Sequence, residues 1–468
     1  MNLLVIEDWI GGLADGDKKG LAGSFRYGKG LDFKSNPDAI TAELALVKAS
    51  STNVTGMPKW IIYDGINNKV YAYCDDGKIH SSASSWTSLR TVANSSGQGL
   101  EIYNDYLYYT QNAQIGRYGS LAGSPSFTDN WQTSLDGTTS WRPLKTFMNL
   151  LLCGNGRYLA TYDGSTWTAQ KLTFPPGWSV RDIDVRGEYA AIAVNNSADI
   201  TKATRGLIFY WDGTSSTYNF FNEVMEGGGI SSIQANQDSV WCFPGNAGNI
   251  YIDTGRVSKV KRIPFVGRGK TIYVYPGADA NFRGNLTFGV AGGTSTTAYR
   301  GVYEFGQPSK DYPYALNFSY PISTGTVQGT GVEIGAIHAV GPQIYVGWKD
   351  GSTYGIDLLS TSTVQTSVTY ESRVLSLAKQ GKFLWIKVFC EPLASGESIT
   401  TKYKADKATS WTAFDAAMSY TADGAITYKL LNEELSATDF QFQLTLAGSA
   451  TMPTVHKVIV AYDEEERL

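Results

Sequence analysis

The sequence predicts an all-β protein: a β-propeller of about seven blades followed by a C-terminal β-sandwich domain. Three observations predict it. Charged residues are only 18% of the 468-residue chain and the net charge is −4, while Gly (50), Tyr (29) and Trp (12) are abundant. That mixture suits packed sheets joined by tight turns. A strand–turn–strand pattern recurs seven times between residues 58 and 365. No segment of this stretch sustains a 3.6-residue apolar period for three turns.

The first unit has strands at 60–63 and 70–73, then Ile79 beyond an Asp75-Asp76-Gly77 turn. The second has 100–103 and 106–109 around Asn104-Asp105, with Ile115 after it. The third has 150–153, a Gly154-Asn155-Gly156 turn and 158–160, and its 150–153 segment reads as either a first or a second strand. The remaining units have 189–193 with 207–210, 239–243 with 250–252, 286–290 with 302–305, and 344–347 with 354–356. Asp-Gly and Gly-Asn-Gly turns supply the positive φ that tight hairpins need. One strand per unit, taken at 70, 106, 150, 189, 239, 286 and 344, gives a mean spacing of about 46 residues. Four-stranded blades repeat every 40–50 residues or so. The seven positions read as a mixture of first and second strands. Two stacked β-sandwiches are the competing arrangement.

Both ends depart from this cadence. Residues 1–57 are interrupted by glycine (Gly11-Gly12, Gly28, Gly30) and read as an extended N-terminal arm. It either adds a closing strand to the propeller or reaches a neighbouring subunit. Asp15-Gly16-Asp17 opens like a calcium loop, but the twelfth position holds Arg26 where such a loop needs Glu. The propeller is assigned to 58–365 and the C-terminal β-sandwich to 366–468. Strands in the latter are expected at 374–377, 383–389, 399–404, 426–430, 440–446 and 455–462. Strict apolar alternation at 440–446 gives that strand one buried and one wet face.

No catalytic, cofactor-binding or metal-binding residues are assigned, and the expectation is a protein that is not an enzyme and takes no cofactor. Acids for glycoside hydrolysis would come from Asp182, Asp184, Glu188, Glu223 and Glu226. The Arg-Asp-Ile-Asp run at 181–184 is the best cluster, and an interface salt bridge explains it as well. Residues 134–141 approach the Ser-x-Asp-x-Gly-x-x-Trp turn of sialidase propellers, with Gly one place early. Gly267-Arg268-Gly269-Lys270-Thr271 looks like the end of a phosphate loop, but Pro264 stands where a Gly is required and a strand-like segment follows. The basic run 256–270 reads as a solvated sheet edge or a subunit interface. Cys74, Cys153, Cys242 and Cys390 lack paired spacing and read as buried free thiols. His80, His338 and His456 are too scattered in sequence to suggest a metal cluster. Near-neutral charge argues against sequence-specific nucleic-acid binding. No apolar run reaches the roughly 18 residues of a membrane span. The opening run from Met1 to Asp8 lacks a basic leader, so synthesis in the cytoplasm without secretion is expected.

Three features taken together are similar to virion proteins of tailed bacteriophages. The first is the opening from Trp9-Ile10-Gly11-Gly12 through Leu21-Ala22-Gly23-Ser24-Phe25 to Gly30-Leu31-Asp32-Phe33-Lys34-Ser35-Asn36-Pro37. The second is the run of Tyr-rich blades with Gly and Asp-Gly turns. The third is the C-terminal module, with Tyr370-Glu371-Ser372, Lys382-Phe383-Leu384-Trp385-Ile386-Lys387-Val388 and Ser410-Trp411-Thr412. The order resembles tail nozzle and tail-hub proteins, which join a propeller to further small β-domains. The resemblance implies a structural role in a virion assembled in the host cytoplasm. It also implies a homo-oligomeric ring whose partners are copies of itself and other tail proteins. The alternatives are a propeller that binds a host receptor or surface glycan, and a propeller glycosidase.

Overall fold

Alternating apolar segments separated by glycine- and asparagine-rich turns fold as antiparallel hairpins, and hairpins in series make meandering sheets. The computed structural model describes residues 1–18, 20–50, 53–93, 96–133, 135–136, 141–307, 309–406 and 408–464. Its core is a seven-bladed β-propeller of four-stranded antiparallel sheets. The innermost strands of blades 1 to 7 are Pro58–Asp64, Leu100–Tyr103, Leu144–Phe147, Ser179–Arg186, Ile230–Ala235, Asp279–Phe282 and Val332–Val340.

The second strands are Lys69–Cys74, Tyr106–Gln111, Leu150–Asn155, Tyr189–Asn195, Val240–Pro244, Asn285–Gly289 and Gln343–Asp350. All seven positions used for the spacing fall on these strands or one residue before them. The repeat is therefore sampled at one equivalent place in every blade, and 150–153 is a second strand. Both faces of a second strand pack against neighbouring blades, so its sequence is a continuous apolar run. Phe147, Leu152, Leu159, Ile192, Phe209 and Trp211 form one such buried layer between blades 3 and 4. Tyr71, Tyr73, Leu107 and Tyr109 form another between blades 1 and 2. Each such side chain contributes about 1.5–3 kcal/mol on burial. Fourth strands such as Val257–Arg262 face water, whereas that of blade 6, Ala315–Tyr320, is buried throughout.

The sheet of blade 7 runs Val332–Val340, Gln343–Asp350, Thr353–Val364 and then Leu44–Lys48. The chain's early residues thus supply its outermost strand, and the closing-strand reading of the N-terminal segment is realised. The Ala49 and Ser50 amides donate to the Ile356 carbonyl at 2.8 and 3.0 Å, and the Ile356 amide donates to Ser50 Oγ at 2.9 Å.

The chain divides into two compact units, 47–301 with 322–359, and 1–46 with 302–321 and 360–468. The second unit carries a nine-stranded sheet. Its main path runs Asn2–Ile6, Val455–Glu464, Leu375–Cys390, Tyr428–Ala447, Ser367–Glu371 and Tyr27–Lys29, with Ser398–Ala405 also paired to Tyr428–Ala447. The 20-residue strand Tyr428–Ala447 pairs with Leu375–Cys390 over its first half. Its second half lies between Ser367–Glu371 and Ser398–Ala405. Segments read as separate strands at 374–377 and 383–389 are one strand here. Register shifts at Ser376/Gly381 and Phe383/Trp385 bend it. Phe383 stacks on Phe440 with ring centroids 4.2 Å apart, and Trp9 is fully buried. Among the described residues the only α-helix is the turn Tyr420–Asp423, and no helix is long and apolar enough to cross a membrane.

Convergence of the blades leaves no room for side chains at certain points. A Cβ on Gly99 would lie 1.9 Å from the Arg142 carbonyl oxygen, whereas one on Gly227 would meet nothing within 4 Å. Gly99→Ala is expected to cost about 1–3 kcal/mol through overpacking. Gly227→Ala should stay within about 0.5 kcal/mol of wild type. Equilibrium unfolding followed by Trp fluorescence checks both.

Candidate functional site: the propeller channel

Seven innermost strands surround the propeller axis, and the side chains that alternate inward from them line a cavity of about 120 Å³. Its polar lining is Glu101 from blade 2, Lys145 from blade 3, Asp182 and Asp184 from blade 4, Gln234 from blade 5, Asp279 from blade 6 and His338 from blade 7. Beyond a register shift at Val180/Asp182 the strand alternates, so Asp182 and Asp184 share one of its faces.

These acids hold the neighbouring blade. Asp182 Oδ2 accepts from the Ile233 amide at 2.9 Å and from Ser232 Oγ at 3.1 Å, and its Oδ1 accepts from the Ile183 amide at 2.9 Å. Ser232 also contacts Asp279 Oδ2, so one hydroxyl lies between two carboxyls. Asp184 Oδ2 accepts from the Ala235 amide at 2.6 Å, and its Oδ1 lies 2.7 Å from the Lys145 ammonium. Burial pushes the Asp182 carboxyl up to about 7, and the adjacent Asp184 carboxylate adds to the shift. Burial, then Asp182, holds Asp279 well above the usual carboxylate range. Burial likewise pushes Glu101 up to about 7, against the pull of Lys145. Asp184 raises the Lys145 ammonium above its ordinary value. Burial pushes His338 down to about 4, so its neutral imidazole can accept from the Tyr63 amide at 3.2 Å through Nε2.

Where the innermost strands begin, aromatic rings and cations fill the axis. The Lys59 ammonium lies 3.6 Å from the centroid of the Tyr275 ring and 5.3 Å from that of Trp141. The Arg181 guanidinium sits 5.1 Å from the Trp141 ring and donates to the Ser231 carbonyl at 3.1 Å. Trp60 meets Trp141 edge to face at 6.1 Å. Tyr275 donates its hydroxyl to Glu333 at 3.2 Å. Burial lowers Lys59 to about 8 and Arg181 to about 10.

A carboxyl kept protonated near neutrality beside an ionised Asp–Lys pair is able to act as a general acid. The hydrogen bonds above nevertheless already engage both oxygens of Asp182 and both of Asp184. The cavity is also smaller than the roughly 300–1,000 Å³ of ordinary small-molecule sites.

Of the five acids singled out from sequence, the structure brings Asp182 and Asp184 into the channel. Glu188 is exposed, Glu223 pairs with Arg205 at 2.7 Å, and Glu226 accepts from Asn249. Glu101, Lys145, Ser232, Asp279 and His338 escaped sequence reading, because each is a single polar residue on a different blade. The basic residues Lys259, Lys261 and Arg262 lie on the outermost strand of blade 5, as a solvated edge requires. No helix follows Gly267-Arg268-Gly269-Lys270-Thr271, which removes the phosphate-loop reading. Asp17 of the calcium-like loop is paired with Arg26. All four cysteines are free and buried. Of the sialidase-like turn, Ser134 and residues 137–140 lie outside the described residues, and so does most of the acidic tail, 465–468.

No protein-family model matches the chain, and no curated protein matches it. Solved structures do. The extracellular domain of a one-component system protein from B. thetaiotaomicron aligns at 14% identity and a TM-score of 0.47, over 76% of this chain and 46% of that one. The chain thus spans about half the length of that relative. U3-55K aligns at 11% identity and a TM-score of 0.45, over 67% and 97% of the two chains. The exo-β-1,3-galactanase of Phanerochaete chrysosporium aligns at 12% identity and a TM-score of 0.31, over 80% and 97%.

The raised carboxyls fix the sign of a pH effect. A carboxyl near 4 in the unfolded chain and near 7 in the folded one favours the folded state fully below about pH 4. That advantage is lost as pH rises to 7 and levels off above it. Asp279→Asn removes one of the raised acids and relieves Asp182. The stability of the variant relative to wild type should therefore climb between pH 4 and 7, by an amount on the order of 1 kcal/mol or more. Paired urea titrations across that range provide the measurement, and a constant difference would contradict the assignment.

Proposed function

We propose that the protein is a non-catalytic structural subunit of a tailed-phage virion, in which the propeller is a rigid body and copies associate through the nine-stranded sheet. The observation that carries this reading is the edge strand Asn2–Ile6. It ends the sheet's hydrogen-bonded path, pairs with Val455–Glu464 over five successive residues without a register shift, and exposes Leu3 (52%) and Val5 (45%) on one face. A regular, apolar, open edge is a template for another strand. The sequence resemblance to nozzle and hub proteins supports the virion setting, and Asp182 and Asp184 support a non-catalytic role because their oxygens hold backbone amides. A ring requires this edge to meet a different surface of the next copy, so that one head-to-tail interface is reused in every subunit.

Light scattering coupled to gel filtration is expected to report an oligomer for the wild type. It should report at least tenfold weaker association for Leu3→Lys with Val5→Glu, with the melting temperature unchanged. A wild type that stays monomeric at its highest soluble concentration would refute the association. Absence of the chain from the mass spectrum of purified particles would refute the virion setting.

A second reading, a propeller glycosidase, draws on the convergence of Asp182, Asp184, Asp279 and Glu101 in one channel. It requires turnover of a glycoside panel that Asp182→Asn or Asp279→Asn abolishes. The structural reading expects none.

A further inference from the structure

Cys74, Asp76 and His80 lie outside the channel, on the hairpin between the second and third strands of blade 1. Cys74 ends the strand Lys69–Cys74, Asp76 sits in the turn, and His80 lies in Lys78–Ser81. Gly77 takes a φ of 82°, which lets this turn fold tightly enough to bring the three side chains together. The Cys74 sulfur, an Asp76 carboxylate oxygen and a ring nitrogen of His80 all lie within 4.8 Å of one another. From these residues we infer a divalent-metal site on blade 1, of the zinc type, with one thiolate, one imidazole and one carboxylate as ligands.

A second observation points to a ligand. His80 is fully buried, and its Nδ1 lies 2.8 Å from the Trp86 carbonyl, an acceptor only. Nδ1 therefore carries the ring proton, and Nε2 presents a lone pair. Nε2 has no hydrogen-bond partner among the described residues. A buried acceptor left unpaired is costly. A ring N–H tied to a carbonyl, with the opposite nitrogen free, is also how proteins orient a metal-binding histidine. Cys74 is a free buried thiol, and Asp76 is exposed, which gives the site an opening to water.

The donor set fits zinc, which takes sulfur, nitrogen and oxygen together. Tetrahedral bonds of about 2.0–2.3 Å put ligand atoms roughly 3.3–3.8 Å apart, so the three need to close by about 1 Å. A water would complete the four positions. Binding forms the metal–sulfur bond and releases the Cys74 thiol proton to solvent. A cation already stands beside the carboxylate, because the Lys78 ammonium lies 3.1 Å from Asp76 Oδ2. Thr55 donates to the same oxygen at 2.7 Å. Metal entry displaces the lysine, which therefore competes with it.

The full-length protein, stripped with a chelator and titrated with Co²⁺, is expected to bind one equivalent. It should show thiolate-to-cobalt charge-transfer absorption and tetrahedral d–d bands, both removed by Zn²⁺. Cys74→Ser should abolish the charge-transfer band, while Cys153→Ala should keep it. Asp76→Asn, at an exposed position, should weaken binding tenfold or more, and Lys78→Met should tighten it. Two results overturn the site: no cobalt spectrum in the wild type, or a spectrum and affinity indifferent to Asp76→Asn and Lys78→Met. Asp76→Asn, at an exposed position, and Lys78→Met, at a half-buried one, decide the matter even where Cys74→Ser does not fold.

Discussion

An innermost propeller strand has a partner on one edge only, so the backbone groups on its other edge must find partners across the gap to the next blade. That requirement organises the centre of this molecule, because an unpaired buried amide or carbonyl costs as much as a lost hydrogen bond. Blade 4 meets it for blade 5: Asp182 and Asp184 accept from the Ile233 and Ala235 amides, and Arg181 donates to the Ser231 carbonyl. Blade 7 meets it for blade 1 through His338 and the Tyr63 amide. Thr146 of blade 3 donates to the Ile102 carbonyl of blade 2 at 3.1 Å. Gly99 serves the same end by letting the backbones themselves approach. The polar residues of the axis are thus ties between sheets that share no ladder.

This accounts for the charge in the channel without invoking a substrate. Carboxylates are strong acceptors, and two of them on one strand face match amides spaced two residues apart on the neighbouring strand. Placing Asp182, Asp184, Asp279 and Glu101 together raises the free energy of ionisation. Lys145 offsets part of that repulsion, and a hydroxyl shared between Asp182 and Asp279 offsets more. The aromatic and cationic layer of Lys59, Trp60, Trp141, Arg181 and Tyr275 then fills the axis where the strands begin. A propeller tied in this way is stiff at its centre, which suits a part that transmits position between neighbours.

The same division explains what the sequence made legible. Second strands such as Tyr189–Asn195 are buried on both faces and stand out as apolar runs, so the blade spacing could be read from them. Innermost strands carry the ties, so Leu144–Phe147 (Leu-Lys-Thr-Phe) and Asp279–Phe282 (Asp-Ala-Asn-Phe) look like polar connections, and five of the seven passed unseen. Asp182 and Asp184 stood out because they fall on one strand. Lys145 and Asp279 meet them only through closure of the ring, which no local pattern encodes. In the second unit, the polar stretch Lys379-Gln380-Gly381-Lys382 breaks the apolar pattern of one long strand and makes it read as two. The triad on blade 1 was missed for a different reason. Spacing between residues of one type does not reveal Cys74 and His80 as neighbours, because a hairpin turn juxtaposes unlike residues.

Edges separate the two units in the same physical terms. In five blades the fourth strand joins the third through a register shift, at Ile79/His80, Ile115/Arg117, Leu159/Thr161, Ile250/Tyr251 and Val302/Glu304. Shifts of this kind twist an edge away from further pairing, and charges such as Lys259 and Lys261 repel what remains. Blade 4 lacks the shift, but its outer strand is four residues long, and Phe220 stacks on Tyr210 of its own blade at 4.6 Å. Asn2–Ile6 has none of these protections: it is regular, carries no charge within the strand and turns aliphatic side chains to water. The proposed association through Asn2–Ile6 draws on this contrast between blunted propeller edges and one regular sheet edge.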